Sequence, residues 1–269
     1  MTRIAVVGGG PSGLAAAESL TRRGAEVVVL EASDATGGKV ASDVESGFVF
    51  ERGPHGFLGR EPKVFELIER LGLTSELVRA DTHSARRYLV RAGALVEVPE
   101  TPPAFLRSEI VSWGAKVRMA AEPFLPADAP QRESVWAFAK RRLGTEAADF
   151  LVDAIVTGIY GGDPKALSVN SAFPRMRELE RDYGSIIRAQ FALAKERRDE
   201  DPDTKARRTS LHSFRLGLQQ LTDALTERAG RVLLGHEVRS LARTSGGEWE
   251  LRGPFGELKA DAVVLTGPA

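Results

Sequence analysis

Residues 3–40 read RIAVVGGGPSGLAAAESLTRRGAEVVVLEASDATGGKV, and the order of apolar runs, glycines and one acid in this stretch decides the fold. Residues 4–7 (IAVV) are a short apolar run of the kind that makes a buried parallel strand. Gly8, Gly10 and Gly13 follow at GxGxxG spacing. Leu14, Ala15, Ala16, Ala17 and Leu20 then give a helix with small residues on its packing face. Residues 25–30 (AEVVVL) form a second strand, and Glu31 stands at its carboxyl end, 18 residues beyond Gly13. The pattern predicts a βαβ unit that binds a dinucleotide.

Each residue type has a physical reason. Gly8 permits a tight turn, Gly10 lets the backbone approach a pyrophosphate, and Gly13 lets the helix pack close to the strand. With Gly9, Pro11 and Ser12 they open a helix whose unpaired N–H groups and partial positive charge face the phosphates. Glu31 can accept from ribose hydroxyls, and its charge disfavours a 2′-phosphate. The competing reading is a glycine-rich turn without a ligand, which explains neither the flanking strands nor the acid. Beyond Glu31 come Gly37, Gly38 and Lys39, then SGFVFERGPHGF (46–57), an apolar strand ending in Arg52-Gly53-Pro54. A plain NAD unit would run from its second strand into another helix. A glycine-rich excursion returning as a strand fits a longer cofactor, and FAD is the candidate.

Composition narrows the classes. The 269 residues carry equal numbers of acidic and basic side chains, so a polyanion such as nucleic acid is not the expected partner. The absence of cysteine excludes disulfides, thiolate catalysis and iron–sulfur clusters, and is compatible with the cytoplasm. His55, His83, His212 and His236 lie far apart without metal-ligand spacing, so no metal is expected. Four glycines, a proline and a serine interrupt the opening apolar run, which argues against a signal peptide. No stretch reaches the roughly 18 apolar residues of a spanning helix.

Further along, residues 62–71 read as a helix with an apolar face, and 86–90 with 94–98 as a hairpin. Residues 104–165 read as short helices broken near Pro123, Pro126 and Pro130, with Ser134 capping a helix that runs through Arg142. Residues 184–198 read as another helix, 195–208 as a solvated charged loop, and 217–228 as helix. Four strands are expected after residue 231: RVLLG, EVRSLART, EWELRG and ADAVVLTG. The fold class is therefore α/β, a Rossmann-like cofactor domain with a helical block in mid-chain.

GGGxSGLAAA, the acid, GGK and ERGPxxF together resemble the amine-oxidase-type flavoprotein superfamily. FERGPHGFLGREP (50–62), RRYLVRAGALVEVPETPPAFL (86–106), LVDAIVTGIYGGDPKALSVNSAFPRMRELERDYGSIIRA (151–189) and LHSFRLGLQQLTDAL (211–225) resemble, within it, the FAD-dependent protoporphyrinogen and coproporphyrinogen oxidases. The GIYxGDxxxLS…FP stretch is the most specific of them. The resemblance implies a discontinuous FAD-binding and substrate part, 1–98 with 208–269, and a mainly helical insertion over 99–207. It implies that residues 8–13 hold the pyrophosphate, Glu31 and Ala32 the adenosine ribose, and Lys39 a basic position by the cofactor. Gly53, Pro54, His55 and Gly56 would pass near the flavin, and the backbone of Val238 would pair with adenine. Arg87 would meet a substrate propionate, while Gly158 and Tyr160 would form a helical wall.

The same resemblance implies oxidation of a porphyrinogen to a porphyrin, with dioxygen as acceptor and no catalytic side chain, since the cofactor does the chemistry. Members of the family are much longer, so the chain reads as a fragment or a truncated product. Another FAD oxidase of the superfamily, or a non-catalytic FAD-binding fragment, stays open as an alternative, as does a homodimer. Residues 103–125 mix Phe105, Leu106, Ile110, Val111, Trp113, Val117 and Met119 with Arg107, Lys116 and Arg118. That mixture suits either peripheral contact with the inner face of the cell membrane or packing within the insertion's own core.

Overall fold

The computed structural model describes residues 1–81, 86–99, 101–128, 130–196, 198 and 200–267. His83 lies outside the described residues. The chain divides into two compact units, Met1–Asp81 with Pro202–Ala269, and Thr82–Asp201. The hairpin that the sequence places with the cofactor-binding segments is grouped with the second unit, so the division falls at 81/82 and 201/202.

The first unit opens with β1 (Arg3–Val7), α1 (Pro11–Arg22) and β2 (Glu26–Leu30). Instead of a single returning strand, residues after Glu31 make a hairpin, β3 (Ser42–Glu45) and β4 (Phe48–Glu51). Ser46 and Gly47 both have positive φ, 51° and 84°, the conformation a two-residue hairpin turn requires. Then come β5 (Phe57–Leu58), α2 (Pro62–Leu71) and β6 (Leu77–Arg79). Pro62 starts α2, and Gly72 ends it in the left-handed region.

The second unit starts with the hairpin β7 (Tyr88–Arg91) and β8 (Ala94–Glu97). It continues as α3 (Pro102–Arg107), α4 (Trp113–Ala120), α5 (Val135–Leu143), α6 (Asp153–Tyr160), α7 (Val169–Ala172), α8 (Pro174–Tyr183) and α9 (Ile186–Glu196). The Ser134 hydroxyl caps α5 by accepting from Ala137 N at 3.2 Å. Val135, Phe138, Val156 and Val169 form an apolar core. Beside it lies a buried ion network that the sequence did not announce. Arg142 and Glu122 are both fully buried and paired, and Glu180 joins Arg142 at 3.4 Å and Arg141 at 2.5 Å. Glu122 also receives the Ser185 hydroxyl and the N–H groups of Ile186 and Ile187, at 3.0 and 3.1 Å, and so caps α9. Burial alone would raise the Glu122 carboxyl, but these donors outweigh it and hold it below the usual range.

The chain re-enters the first unit through α10 (Pro202–Thr209), which corrects the loop expected over 195–208. Pro202 begins this helix, Asp203 sits in its first turn and Arg207 and Arg208 in its last, all matched to the helix dipole. β9 (Leu211–Phe214), α11 (Gln219–Thr226), β10 (Arg231–Leu233), β11 (Ser240–Arg243), β12 (Trp249–Gly253), β13 (Gly256–Ala260) and β14 (Ala262–Leu265) follow. β13 was not expected, because GELKA lacks the β-branched or aromatic residues that mark a strand. The parallel sheet has the order β10-β2-β1-β14. Val6, Val27 and Val29 face Leu14 and Ala17 of α1 and Leu225 of α11. Ala5 and Leu30 face Leu251 and Ala260 of the antiparallel β11-β12-β13 sheet. The alternation along β1 and β2 thus buries both faces of the sheet.

Candidate functional site

The site is built at the carboxyl ends of β1 and β2. Gly8 sits at φ 109°, where a side chain would be strained, and its N–H bonds Leu30 O at 2.9 Å. A Cβ on Gly13 would stand 2.0 Å from the Gly8 carbonyl oxygen, so only glycine lets α1 approach this closely. Gly10, at φ −76° and ψ 177°, has nothing within 4 Å of an added Cβ. No side chain caps α1, and its first turn holds no acid. The unpaired N–H groups and positive end of the helix therefore open onto free space. Gly37 and Gly38 seat a second glycine turn over the loop: Gly37 N bonds Gly9 O at 2.8 Å, and a Cβ on Gly38 would lie 3.3 Å from Gly10 Cα.

Glu31 is buried at the end of β2. Its carboxylate accepts from Gly9 N at 2.6 Å and from Ser33 N at 2.8 Å. Burial works to raise its carboxyl, but the Ser33 and Gly9 N–H donors prevail and hold it below the usual carboxylate range. The acid is thus charged, and it braces the glycine loop as well as facing the cleft.

These groups line a cleft of about 610 Å³. Gly8, Gly10, Pro11 and Ser12 of the glycine loop line it together with Glu31, Ala32, Lys39 and Val238. Val238 corrects an expectation: it belongs to the connection between β10 and β11, not to a strand. His236 N bonds Glu31 O at 2.8 Å and Arg239 N bonds Arg252 O at 2.8 Å, but among the described residues nothing pairs with the backbone of Val238. That free N–H and C=O suit the edge of a base. A pyrophosphate at the start of α1, a ribose at Glu31 and an adenine at Val238 match the donors and acceptors present, so the residues fit a flavin dinucleotide.

Other expected site residues lie elsewhere. A Cβ on Gly53 would meet Lys39 O at 2.1 Å, and one on Gly56 would meet His212 O at 2.6 Å, so both glycines serve close backbone packing. His55 lines a different cleft, with Phe50, Ser213 and Arg215. In the second unit, Arg87 is exposed just before β7, and no described side chain pairs with its guanidinium. Gly158 is exposed on α6 with nothing within 4 Å of an added Cβ, so no close helix packing requires a glycine there. Tyr160 donates its hydroxyl to Ala172 O at 2.6 Å and packs its ring on Phe173. Ser33 and Thr266 are residues that the sequence reading missed. Ser33 follows the acid without any motif, and Thr266 comes 235 residues after Glu31.

Residues 11–269 match the family profile described as flavin containing amine oxidoreductase. The chain is 36% identical over 292 aligned positions to protoporphyrinogen oxidase 2, chloroplastic/mitochondrial, of Arabidopsis thaliana, covering 99% of this chain and 57% of that one. It is 32% identical over 301 positions to coproporphyrinogen III oxidase of Propionibacterium freudenreichii subsp. freudenreichii, covering 98% and 56%. A crystal structure of an Exiguobacterium sp. 255-15 protein superposes with TM-score 0.76 at 27% identity, covering 99% of this chain and 59% of that one. The chain thus spans a little over half the length of the curated relatives it matches. The profile match covers all but the first ten residues, and the chain belongs to the flavin containing amine oxidoreductase family, with FAD as its cofactor.

Proposed function

We propose that the intact protein oxidises a porphyrinogen, protoporphyrinogen IX or coproporphyrinogen III, to the porphyrin, with dioxygen as acceptor. The observation that carries this reading is similarity along almost the whole chain to relatives named protoporphyrinogen oxidase and coproporphyrinogen III oxidase. Bound FAD would supply the two-electron chemistry, and three two-electron oxidations, removing four C–H and two N–H hydrogens in all, separate a porphyrinogen from its porphyrin.

The chain's own residues bind and orient. The α1 N-terminus, Glu31 and Val238 fix the cofactor's nucleotide end. Arg87, exposed and without a described partner, offers a guanidinium fork to a substrate propionate. Gly158 leaves an open stretch of helix for a tetrapyrrole, and the anchored Tyr160 ring borders it. Both porphyrinogens, prepared anaerobically, should give porphyrin fluorescence above the autoxidation rate with at least one of them. No excess rate with either overturns the reading.

Peripheral attachment at the inner face of the cell membrane, for an otherwise cytoplasmic protein, is part of the proposal. No helix among the described residues is long and apolar enough to cross a membrane. The 103–125 stretch forms two short helices, α3 and α4, with Trp113, Val117 and Phe124 exposed and Ile110 and Val111 buried. Lys116 is buried and donates to Leu106 O at 2.9 Å and Ser108 O at 2.5 Å, so it does not supply a free cation. The intact protein should co-float with anionic liposomes and lose this on Trp113→Ser. Protein that stays wholly in the soluble fraction leaves only the core-packing account.

A further inference from the structure

The peptide joining Gly8 to Gly9 is flanked by two glycines, so no Cβ hinders its rotation. Its orientation matters, because rotation would turn the Gly8 carbonyl oxygen, a partial negative charge, toward the phosphate side of the loop. Both ends of this peptide are held. Its N–H donates to the Glu31 carboxylate at 2.6 Å. Its carbonyl oxygen lies 3.2 Å from the Thr266 hydroxyl, which also reaches Val7 O at 2.9 Å. The hydroxyl proton is shared between these two carbonyls. Val7 O also receives Thr266 N at 3.0 Å, whereas no other described group donates to Gly8 O. Thr266 Oγ1 would lie 2.7 Å from a Cβ on either Gly8 or Gly13, so it fills the corner where strand, turn and helix meet.

We propose that Thr266 is a positioning residue for the cofactor: its hydroxyl, acting opposite Glu31, locks the Gly8–Gly9 peptide with the carbonyl turned away from the pyrophosphate. Thr266 follows β14, the edge strand paired to β1 with Val7 opposite Leu265. The hydroxyl is brought to the loop by that register and not by any neighbouring motif. The inference rests on the FAD assignment of this cleft and adds a cleft-lining residue whose hydroxyl is spent on the loop backbone.

The test compares Thr266→Val, which keeps the shape and removes the hydroxyl, with Thr266→Ser, which keeps the hydroxyl. FAD dissociation constants of the intact apoprotein are read from quenching of flavin fluorescence, and apoprotein melting is followed by circular dichroism. Thr266→Val should raise the dissociation constant about threefold to tenfold, the effect of one neutral hydrogen bond. Thr266→Ser should stay within about twofold of the parent on the same scale. A Val variant that binds like the parent, or a Ser variant weakened as much as Val, overturns the proposal. Should the Val variant not fold, Thr266→Ala against Thr266→Ser makes the same comparison. A parent protein that binds no FAD at all overturns the cofactor assignment first and this proposal with it.

Discussion

Two glycines of the same loop should respond differently to one added methyl group, one in stability and the other in cofactor affinity. In Gly13→Ala the new Cβ would stand 2.0 Å from Gly8 O and 2.7 Å from Thr266 Oγ1, against a non-bonded optimum of about 3.5 Å. The nearest obstacle is backbone, so helix and strand must part by on the order of 1 Å, at a cost of about 3 kcal/mol, the upper end for overpacking. Replacing glycine within α1 returns about 1 kcal/mol of helix propensity. The net loss of about 2 kcal/mol should lower apoprotein melting by roughly 4–8 °C. Gly10 has an ordinary extended backbone and open space around it. Gly10 is also the N-cap of α1, where alanine is the poorer residue, so the gain through the unfolded chain is offset and Gly10→Ala should leave apoprotein stability within about 0.5 kcal/mol of the parent. Its methyl nevertheless points at the face that meets the pyrophosphate, and FAD affinity should fall roughly 5- to 100-fold. Melting followed by circular dichroism and flavin titration of both variants check this. A Gly13→Ala apoprotein that melts at or above the parent, or a Gly10→Ala protein with parental FAD affinity, would refute the reasoning.

The other predictions concern the second unit. Glu122→Gln leaves the fully buried Arg142 short of its main partner and should cost about 3–5 kcal/mol in urea unfolding, read by tryptophan fluorescence. Replacing both Glu122 and Arg142 by methionine should recover most of that loss; a single variant costing under about 1 kcal/mol would show that the pair is not needed. Hydrogen bonding by the Ser112 hydroxyl, helped by Arg91, lowers the Glu146 carboxyl from 4.5 to about 2. A depressed carboxyl stabilises the fold above its unfolded value and loses that contribution on acidification, so the window here runs downward from pH 4.5 toward 2. Acid titration of Glu146→Gln should show a shallower stability loss across that window, and an unchanged slope would remove Glu146 from the acid response.

The first βαβ unit was legible because everything it needs is local. Gly8, Gly13 and Glu31 act on partners within about thirty residues, and strand, helix and turn chemistry agree. The hairpin at Ser46-Gly47 is equally local, but it appeared in the sequence only as one strand, since SDVE carries little β signal beside FVFE. The Val238 part of the cleft was not legible from physics. Val238 acts through its backbone, which no side chain advertises, and it was named only through the family resemblance. Thr266 gains its meaning from the pairing of β14 with β1. The charged block at 195–208 looked solvated, yet the proline and the order of its charges favour a helix, and α10 shows the order of charge outweighing its amount. Glu122, Arg142 and Glu180 carry no local signal of their burial, which depends on neighbours 20 to 64 residues away.

The strand order β10-β2-β1-β14 sets a schedule for biosynthesis. β1 and β2 leave the ribosome first, but β10 begins about 200 residues after β2 and β14 about 250 residues after β1. At roughly 5–20 residues per second, the apolar edges of β2 and β1 wait about 10–50 s for them. The segment Thr82–Asp201 is continuous and emerges whole within that interval. The nascent chain therefore carries this second unit complete while the parallel sheet still lacks β10 and β14. The nucleotide cleft needs Glu31, Val238 and Thr266 together, so flavin capture has to wait until Thr266 has emerged and β14 has paired with β1.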